Sequence, residues 1–157
     1  METNELDRAS LQILEALQAD ARLSTQALAE QVGLSATPVW RRVKDMEDRG
    51  VIRGQVVLVD REKIGLSILV LANVSLVRHS EGAVEQFERL VATQREIIEC
   101  HAITGEADYV MKVVAPDMKA YDEFLQAKIF KLPGVASVRS NVVLREVKYE
   151  TAMPVPA

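Results

Sequence analysis

Cysteine is almost absent from this chain of 157 residues, which contains only Cys100. A single cysteine excludes an intramolecular disulfide and a cysteine-rich metal cluster. Together with a start that shows no secretory signal, this usage predicts a protein of the reducing cytoplasm. Histidine is scarce as well: His79, expected in a loop, and His101 lie far apart and have no partner at metal-ligand spacing.

Long apolar runs are also missing. The longest, Leu66–Leu76, is interrupted by Ser67, Asn73 and Ser75 and is too short to cross a bilayer, so we expect no membrane segment. Hydrophobic residues nevertheless make up 48% of the chain, which is enough for a folded core and argues against wholesale disorder.

Patterns typical of catalysis are missing too. Cys100 and His101 are neighbours on a predicted strand, so their side chains point to opposite faces and do not form a thiolate–imidazole pair. The sequence also lacks a phosphate-binding glycine loop, a zinc-binding spacing and a nucleophile elbow. We therefore predict no enzyme activity and no cofactor.

The net charge of −4 argues against a protein that coats nucleic acid through bulk charge. Any contact with DNA must come from a local cationic surface. Residues 37–44 provide one, because they carry a net charge of +3 in eight positions. They follow Gly33 in a pattern typical of the turn and reading helix of a helix-turn-helix, so sequence-specific DNA binding is the leading hypothesis.

Apolar spacing predicts two helices before this segment. The first covers Leu6–Leu17, with Asp7 as its N-cap, and the second runs from about residue 24 to residue 32, with Ser24 as its cap. Gly33 suits the left-handed position that ends a helix.

The third predicted helix runs from about Thr37 to Arg49. We expect Thr37 to cap it and Pro38 to occupy its first position, where no amide donor is needed. Gly50 ends the helix, and Val51–Val59 then looks extended, as a wing or a linking strand.

The third helix has two distinct sides. Val39, Val43 and Met46 share one face, which should be buried. The opposite side carries Thr37, Arg41 and Lys44. An arginine can fork onto guanine, a threonine can meet a base edge or a thymine methyl, and a lysine can hold phosphate. The alternative interpretation is a solvated face whose cations pair with the acids that follow, Asp45, Glu47 and Asp48.

Two residues lie on the flanks of this helix. Trp40 is either a groove contact or an aromatic at the edge of the core. Arg42 lies nearer the core and is expected to bridge to an acid of the first helices.

The second half predicts the order strand, helix, strand, strand, helix, strand, which is the pattern of a ferredoxin-like fold. These elements are Leu66–Val77, Glu81–Thr93, Ile97–Thr104, Tyr109–Val114, Asp117–Phe130 and Val135–Lys148. We therefore expect an α+β chain with a helix-turn-helix domain at 1–60, including the linking strand, and a second domain at 61–157. The tail Ala152–Ala157 contains two prolines and looks loosely ordered.

The first strand of this half is apolar on both faces over Ile68–Ala72. An open antiparallel sheet with helices on one side should alternate instead, so something must cover the other face. A second copy of the chain is the favoured cover, which predicts a homodimer. The alternative is that the N-terminal domain folds onto the sheet.

The turn Thr104-Gly105-Glu106-Ala107-Asp108-Tyr109 is the best candidate for a small-molecule site. Gly105 lets a ligand approach the backbone closely, Asp108 can accept from an ammonium group, and Thr104 can bind a carboxylate. From the residues alone, a tight hairpin whose aspartate satisfies its own turn amides is the favoured interpretation.

Several segments, taken together and in order, resemble the Lrp/AsnC family of bacterial and archaeal regulators. They are Leu6-Asp7, Ile13-Leu14, Ala21-Arg22-Leu23-Ser24, Leu28-Ala29, Val32-Gly33-Leu34-Ser35, Arg41-Arg42-Val43, Glu47 with Gly50-Val51-Ile52, Thr104–Tyr109, Leu132-Pro133-Gly134-Val135 and Leu144-Arg145-Glu146-Val147-Lys148. The chain departs from the family at Ser10, where an acid is frequent.

The resemblance implies a winged helix-turn-helix followed by a ferredoxin-like effector domain. It implies homodimers that assemble further, often to octamers, on double-stranded DNA with a near-palindromic operator. It also implies an amino acid or related metabolite as effector, bound near residues 104–109, which reverses the interpretation of that turn as a plain hairpin. The residues assigned to DNA are Ser35, Thr37, Pro38, Trp40, Arg41, Arg42 and Lys44.

Two other functions remain open at this stage. A small dimeric α+β-barrel enzyme would use the second half as a pocket, but it leaves the first fifty or so residues unexplained. An architectural DNA-binding protein would need no effector. Specific stabilisation by one of the twenty amino acids would favour the regulator over both.

Overall fold

A computed structural model of the chain describes residues 6–77 and 82–155. It contains two compact units, one formed by the residues up to Leu58 together with those from Lys148 onwards, the other by Val59–Val147. The last residues of the chain thus belong to the first unit, whereas the sequence division had placed them in the second domain. His79 and Glu81 lie outside the described residues.

The first unit contains three helices, α1 (Arg8–Ala19), α2 (Thr25–Val32) and α3 (Ala36–Asp48). Two of the three predicted caps are confirmed: the Asp7 carboxylate accepts from the backbone N–H of Ser10 at 2.9 Å, and the Ser24 hydroxyl accepts from that of Ala27 at 3.1 Å. Gly33 follows α2 with φ 68°, the left-handed conformation that suits glycine. The buried core of this unit consists of Ile13, Ala16, Leu28, Ala29, Val39 and Met46.

The start of α3 differs from the prediction. The helix begins at Ala36 with Ser35 as its N-cap, and no side chain caps it. Pro38 is therefore the third helical residue, where a missing N–H still costs little because the first four amides of a helix have no partner within it. Residues 51–59 do not pair as a strand within the described part of the chain.

The second unit contains a four-stranded antiparallel sheet in the order β2-β3-β1-β4. Its elements are β1 (Ile68–Leu76), α4 (Ala83–Val91), β2 (Ile97–Ala102), β3 (Tyr109–Ala115), α5 (Met118–Phe124) and β4 (Val135–Val142). This confirms the predicted ferredoxin-like order.

Two elements of the second unit differ from the prediction in detail. The helix expected over 117–130 changes to a π-helical turn over Leu125–Ile129. The last strand ends at Val142 rather than at Lys148; its pairing with β1 stops at Val70, and one further backbone bond joins the Val143 N–H to the Leu69 carbonyl.

The faces of β1 also differ from one another. Val70, Ala72 and Val74 are fully buried on the side of the helices, in a core shared with Phe87 and residues of β3. On the opposite face Leu69 is buried, whereas Leu71 is 40% exposed. The sheet of this unit therefore leaves an apolar side chain partly open to solvent.

Candidate nucleic-acid interface and effector site

The outward face of α3 carries the residues that the sequence assigns to DNA. Val39 and Met46 are completely buried and fix the rotation of the helix about its axis. As a result Thr37, Arg41 and Lys44 are exposed. Trp40 is 59% exposed, which removes the interpretation of a core-edge aromatic.

Arg41 and Lys44 differ in their surroundings. Arg41 has no hydrogen bond or ion pair with any residue in the described ranges. The Lys44 ammonium lies 3.2 Å from an Asp48 carboxylate oxygen and 3.7 Å from one of Glu47, and the bond to Asp48 raises the pKa of Lys44. The alternative of ordinary surface pairing thus describes Lys44, while the Arg41 guanidinium is ready to bind an acceptor.

Arg42 forms the ion pair expected of it. Its Nη2 lies 2.6 Å from Oδ2 of Asp7, whose Oδ1 caps α1 at Ser10. The hydrogen bond from Arg42 and those from Ser10 hold the pKa of Asp7 well below its usual range. One carboxylate thereby joins the start of α1 to the flank of α3.

The turn at residues 104–108 is tied to the sheet at several points. Gly105 has φ 123°, a conformation that side chains other than glycine rarely adopt. An Asp108 oxygen accepts from the backbone N–H of Leu76 at 2.7 Å, and Glu106 pairs with Arg139 on β4 at 2.8 Å. Asp108 therefore bonds to β1 rather than to its own turn, while Thr104, Gly105 and Glu106 remain exposed.

Tyr109 lies in the core of the second unit, which differs from its expected place in the effector site. Its ring centroid is 4.7 Å from that of Phe87, and its hydroxyl donates to Glu88 at 2.7 Å. Burial of the phenol is the main cause, and the bond to Glu88 a smaller one, that raises the pKa of Tyr109 to about 12. The signal was present in the sequence, because Tyr109 has the same period-two phase as Met111 and Val113, which face the core.

In the part of the chain that the structure describes, Cys100 forms no pair with a histidine. Cys100 is half-buried against the core, and burial raises the pKa of its thiol. His101 is exposed, with Nε2 3.7 Å from a Glu99 carboxylate oxygen. Within residues 6–77 and 82–155, no group of three or more acidic, histidine or cysteine side chains could hold a metal ion. No helix there is long and apolar enough to span a membrane.

Sequence reasoning missed the partners that hold these sites in place. Arg139 and the backbone of Leu76 anchor the turn, and Glu88 anchors Tyr109. Each lies more than twenty residues from its partner along the chain, and no local pattern marks such pairs.

Comparison with known proteins assigns both units. Residues 6–53 match a winged helix-turn-helix DNA-binding family, and residues 69–153 match the Lrp/AsnC ligand binding domain. The chain is 39% identical over 150 residues to the DNA-binding transcriptional activator DecR of Escherichia coli K12, covering 96% of this chain and 99% of that protein. It is 40% identical over 144 residues to the leucine-responsive regulatory protein of the same organism, with 92% and 88% covered.

Solved structures give the same result. A transcriptional regulator of Neisseria meningitidis in complex with L-Met superposes with a TM-score of 0.91 at 35% identity, covering 96% of this chain and 97% of that one. An AsnC family regulator of Agrobacterium tumefaciens superposes with a TM-score of 0.89 at 37% identity, covering 95% of this chain and 97% of that one. The chain therefore belongs to the Lrp/AsnC family of DNA-binding transcription regulators.

Proposed function

We propose that the outward face of α3 binds a near-palindromic operator in double-stranded DNA, and that an amino acid or related small metabolite modulates this binding. The observation that carries the proposal is the exposed guanidinium of Arg41, which has no partner among the described residues and lies on a helix whose other side is buried. The relatives are transcription regulators, which supports a role without catalysis.

The residues of this face have separate roles in the proposal. Arg41 forks onto a guanine, Thr37 meets a base edge or a thymine methyl, and Trp40 packs against the groove wall. Lys44 exchanges its bond to Asp48 for a phosphate, which positions the protein without specifying sequence. Ser35, Pro38 and Arg42 hold the start and flank of the helix in place.

The direct test is selection of genomic fragments by the full chain, with and without the twenty amino acids. We expect a small set of fragments to share a near-palindromic site and to change in recovery with at least one amino acid. Recovery of fragments in proportion to their abundance in the genomic DNA, with no shared site among them, would overturn the role of α3 in reading DNA sequence. Turnover of a small metabolite without any DNA binding would favour the enzyme instead.

The effector site is proposed at residues 104–108. Thr104 would hold the carboxylate of the effector, Asp108 or Glu106 its ammonium group, and Gly105 and Ala107 leave room beside the backbone. Tyr109 contributes by anchoring the end of β3 in the core. The regulator that binds L-Met in the related structure supports an amino acid as the ligand class.

Asp108→Asn is expected to abolish most of the effector response while leaving the turn in place. An asparagine oxygen can still accept from Leu76, but the charge that attracts an ammonium group is lost. The measurement is a thermal shift with each of the twenty amino acids, together with the change in operator affinity. Asp122→Asn, an exposed acid of α5, is the matched control. A full response in Asp108→Asn would place the effector elsewhere.

We also propose that the chain is a cytoplasmic homodimer that assembles further to an octamer. The partly exposed Leu71 on the open face of the sheet supports a second copy there, and Val56–Val59, which is 60–87% exposed, supplies further apolar surface. Sedimentation equilibrium tests this directly. Leu71→Asp should shift the mass towards the monomer, and an unchanged mass would remove the sheet face from the interface.

A further inference from the structure

The C-terminal residues make a specific contact with α1. The side-chain amide of Gln18 donates from Nε2 to the carbonyl of Met153 at 3.0 Å, and its Oε1 accepts from the N–H of Met153 at 2.6 Å. This reciprocal pairing of two amide groups resembles the exchange between neighbouring strands, and it fixes which tail residue lies against Gln18. A loosely ordered tail, as the sequence predicts, would not select one register.

The contact lies beside an apolar groove of about 1100 Å³ in the first unit. The helix and the segment after α3 supply its apolar lining, which includes Leu11, Leu14, Leu17, Val51, Ile52 and Val56. Tail residues Met153, Pro154 and Val155 form another part of its wall. Met153 is itself 69% exposed, so the two hydrogen bonds to Gln18, rather than burial of its side chain, hold the tail in this register.

The tail follows the strand that holds the turn, and eight residues separate the end of β4 at Val142 from residue 151. Arg139 of β4 pairs with Glu106, and the chain re-enters the first unit at Lys148. At the other end of α1, Asp7 pairs with Arg42 on α3. The polypeptide chain itself therefore connects the paired turn to the contact at Gln18, and α1 connects that contact to the Asp7–Arg42 ion pair.

We infer that residues 151–155 form a strap through which the state of the effector turn reaches α3, with Gln18 as the residue that fastens it. This inference rests on the proposed function, because it needs an effector that acts at the turn. Without effector, the strap is not required for α3 to meet DNA. Release of the strap should therefore remove the effect of the amino acid on operator affinity and leave operator binding in the absence of amino acid unchanged.

The test uses the full chain with Gln18→Ala and, as a second variant, the chain ended after Glu150. Gln12→Ala is the matched control, because Gln12 is also an exposed glutamine of α1. Operator affinity is measured with and without each of the twenty amino acids, and hydrogen exchange is measured at the Met153 amide. Exchange at Met153 should be slow in the wild type and in Gln12→Ala, and fast in Gln18→Ala.

In the wild type and the control, the amino acid that acts should change operator affinity by about 5–150-fold. In Gln18→Ala and the shortened chain this change should fall below about 2-fold, with affinity in the absence of amino acid kept within about 2-fold of wild type. Variants that respond as fully as the wild type, or a Met153 amide unprotected in the wild type, would overturn the strap.

Failure of the two proposals can be told apart. A wild-type chain that binds its operator but responds to none of the twenty amino acids overturns the effector part of the proposed function, and the strap with it. A responsive wild type with equally responsive variants overturns the strap alone.

Discussion

Arg41→Ala is expected to weaken operator binding by about 1–3 kcal/mol, or roughly 5–150-fold, if the guanidinium makes a bidentate contact with a guanine. Arg41 is exposed and has no partner within the described residues, so the substitution breaks no contact that holds the fold. Its whole effect should therefore fall on DNA. Affinity measured against the operator and against an operator with one altered base pair tests this.

Arg22→Ala is the control for the change of charge. Arg22 is an exposed arginine of the same unit that lies outside α3, and among the described residues its side chain pairs with Asp20 alone. Arg22→Ala should lower the affinity for the operator only slightly and should leave the discrimination between the two operators unchanged. Arg41→Ala should lower both the affinity and the discrimination, since base contacts specify the DNA sequence while phosphate contacts only position the protein. Equal losses in the two variants would remove Arg41 from the reading set.

Gly134→Ala is expected to destabilise the second unit by about 1–3 kcal/mol, the usual cost of overpacking a tight contact. A Cβ built on Gly134 would lie 2.4 Å from the Cβ of Ala83 and 3.1 Å from its Cα, at the start of α4. Both residues are buried, so neither the turn nor the helix can move aside freely. Thermal or denaturant unfolding of the full chain measures the loss.

A double-mutant cycle separates this clash from other effects on the turn. In an Ala83→Gly background the closest of these atoms is gone, so Gly134→Ala should cost clearly less there than in the wild type. Pro133→Ala, at the exposed neighbouring position, controls for general disturbance of the turn. An equal cost in both backgrounds would show that the contact with Ala83 is not what requires glycine.

The sequence was sufficient for features that depend on neighbouring residues. Asp7 and Ser24 were recognisable as caps because a cap acts on the amide three residues ahead. The buried side of α3 followed from the spacing of Val39, Val43 and Met46, and the order of strands and helices followed from the change of period along the chain.

Features that depend on distant residues could not be predicted in this way. From the residues alone, before the resemblance was considered, Asp108 was expected to bond within its own turn, but its partner is Leu76, 32 positions away. The tail was expected to be loose, but its partner is Gln18, 135 positions away. Strand β4 ends at Val142, where its pairing with β1 stops at Val70, although the sequence predicted a strand up to Lys148.

The start of α3 was missed for a local reason. Ser35 and Thr37 are both good caps, and Pro38 is favoured at the first helical position, so the sequence placed the cap at Thr37. In the structure Ser35 holds the cap position and Thr37 is exposed inside the first turn. That shift leaves the Thr37 hydroxyl available on the face proposed to meet DNA.

Trp40 allows the most direct measurement on that face. It is the only tryptophan of the chain and is 59% exposed on α3, next to Arg41. Its fluorescence and its quenching by acrylamide should therefore report on this helix during a titration with operator DNA. We predict a shift in emission and a marked loss of quenching as the operator saturates the protein. Unchanged emission and quenching, at DNA concentrations that retard all of the protein in a gel, would contradict the proposal that α3 enters the groove.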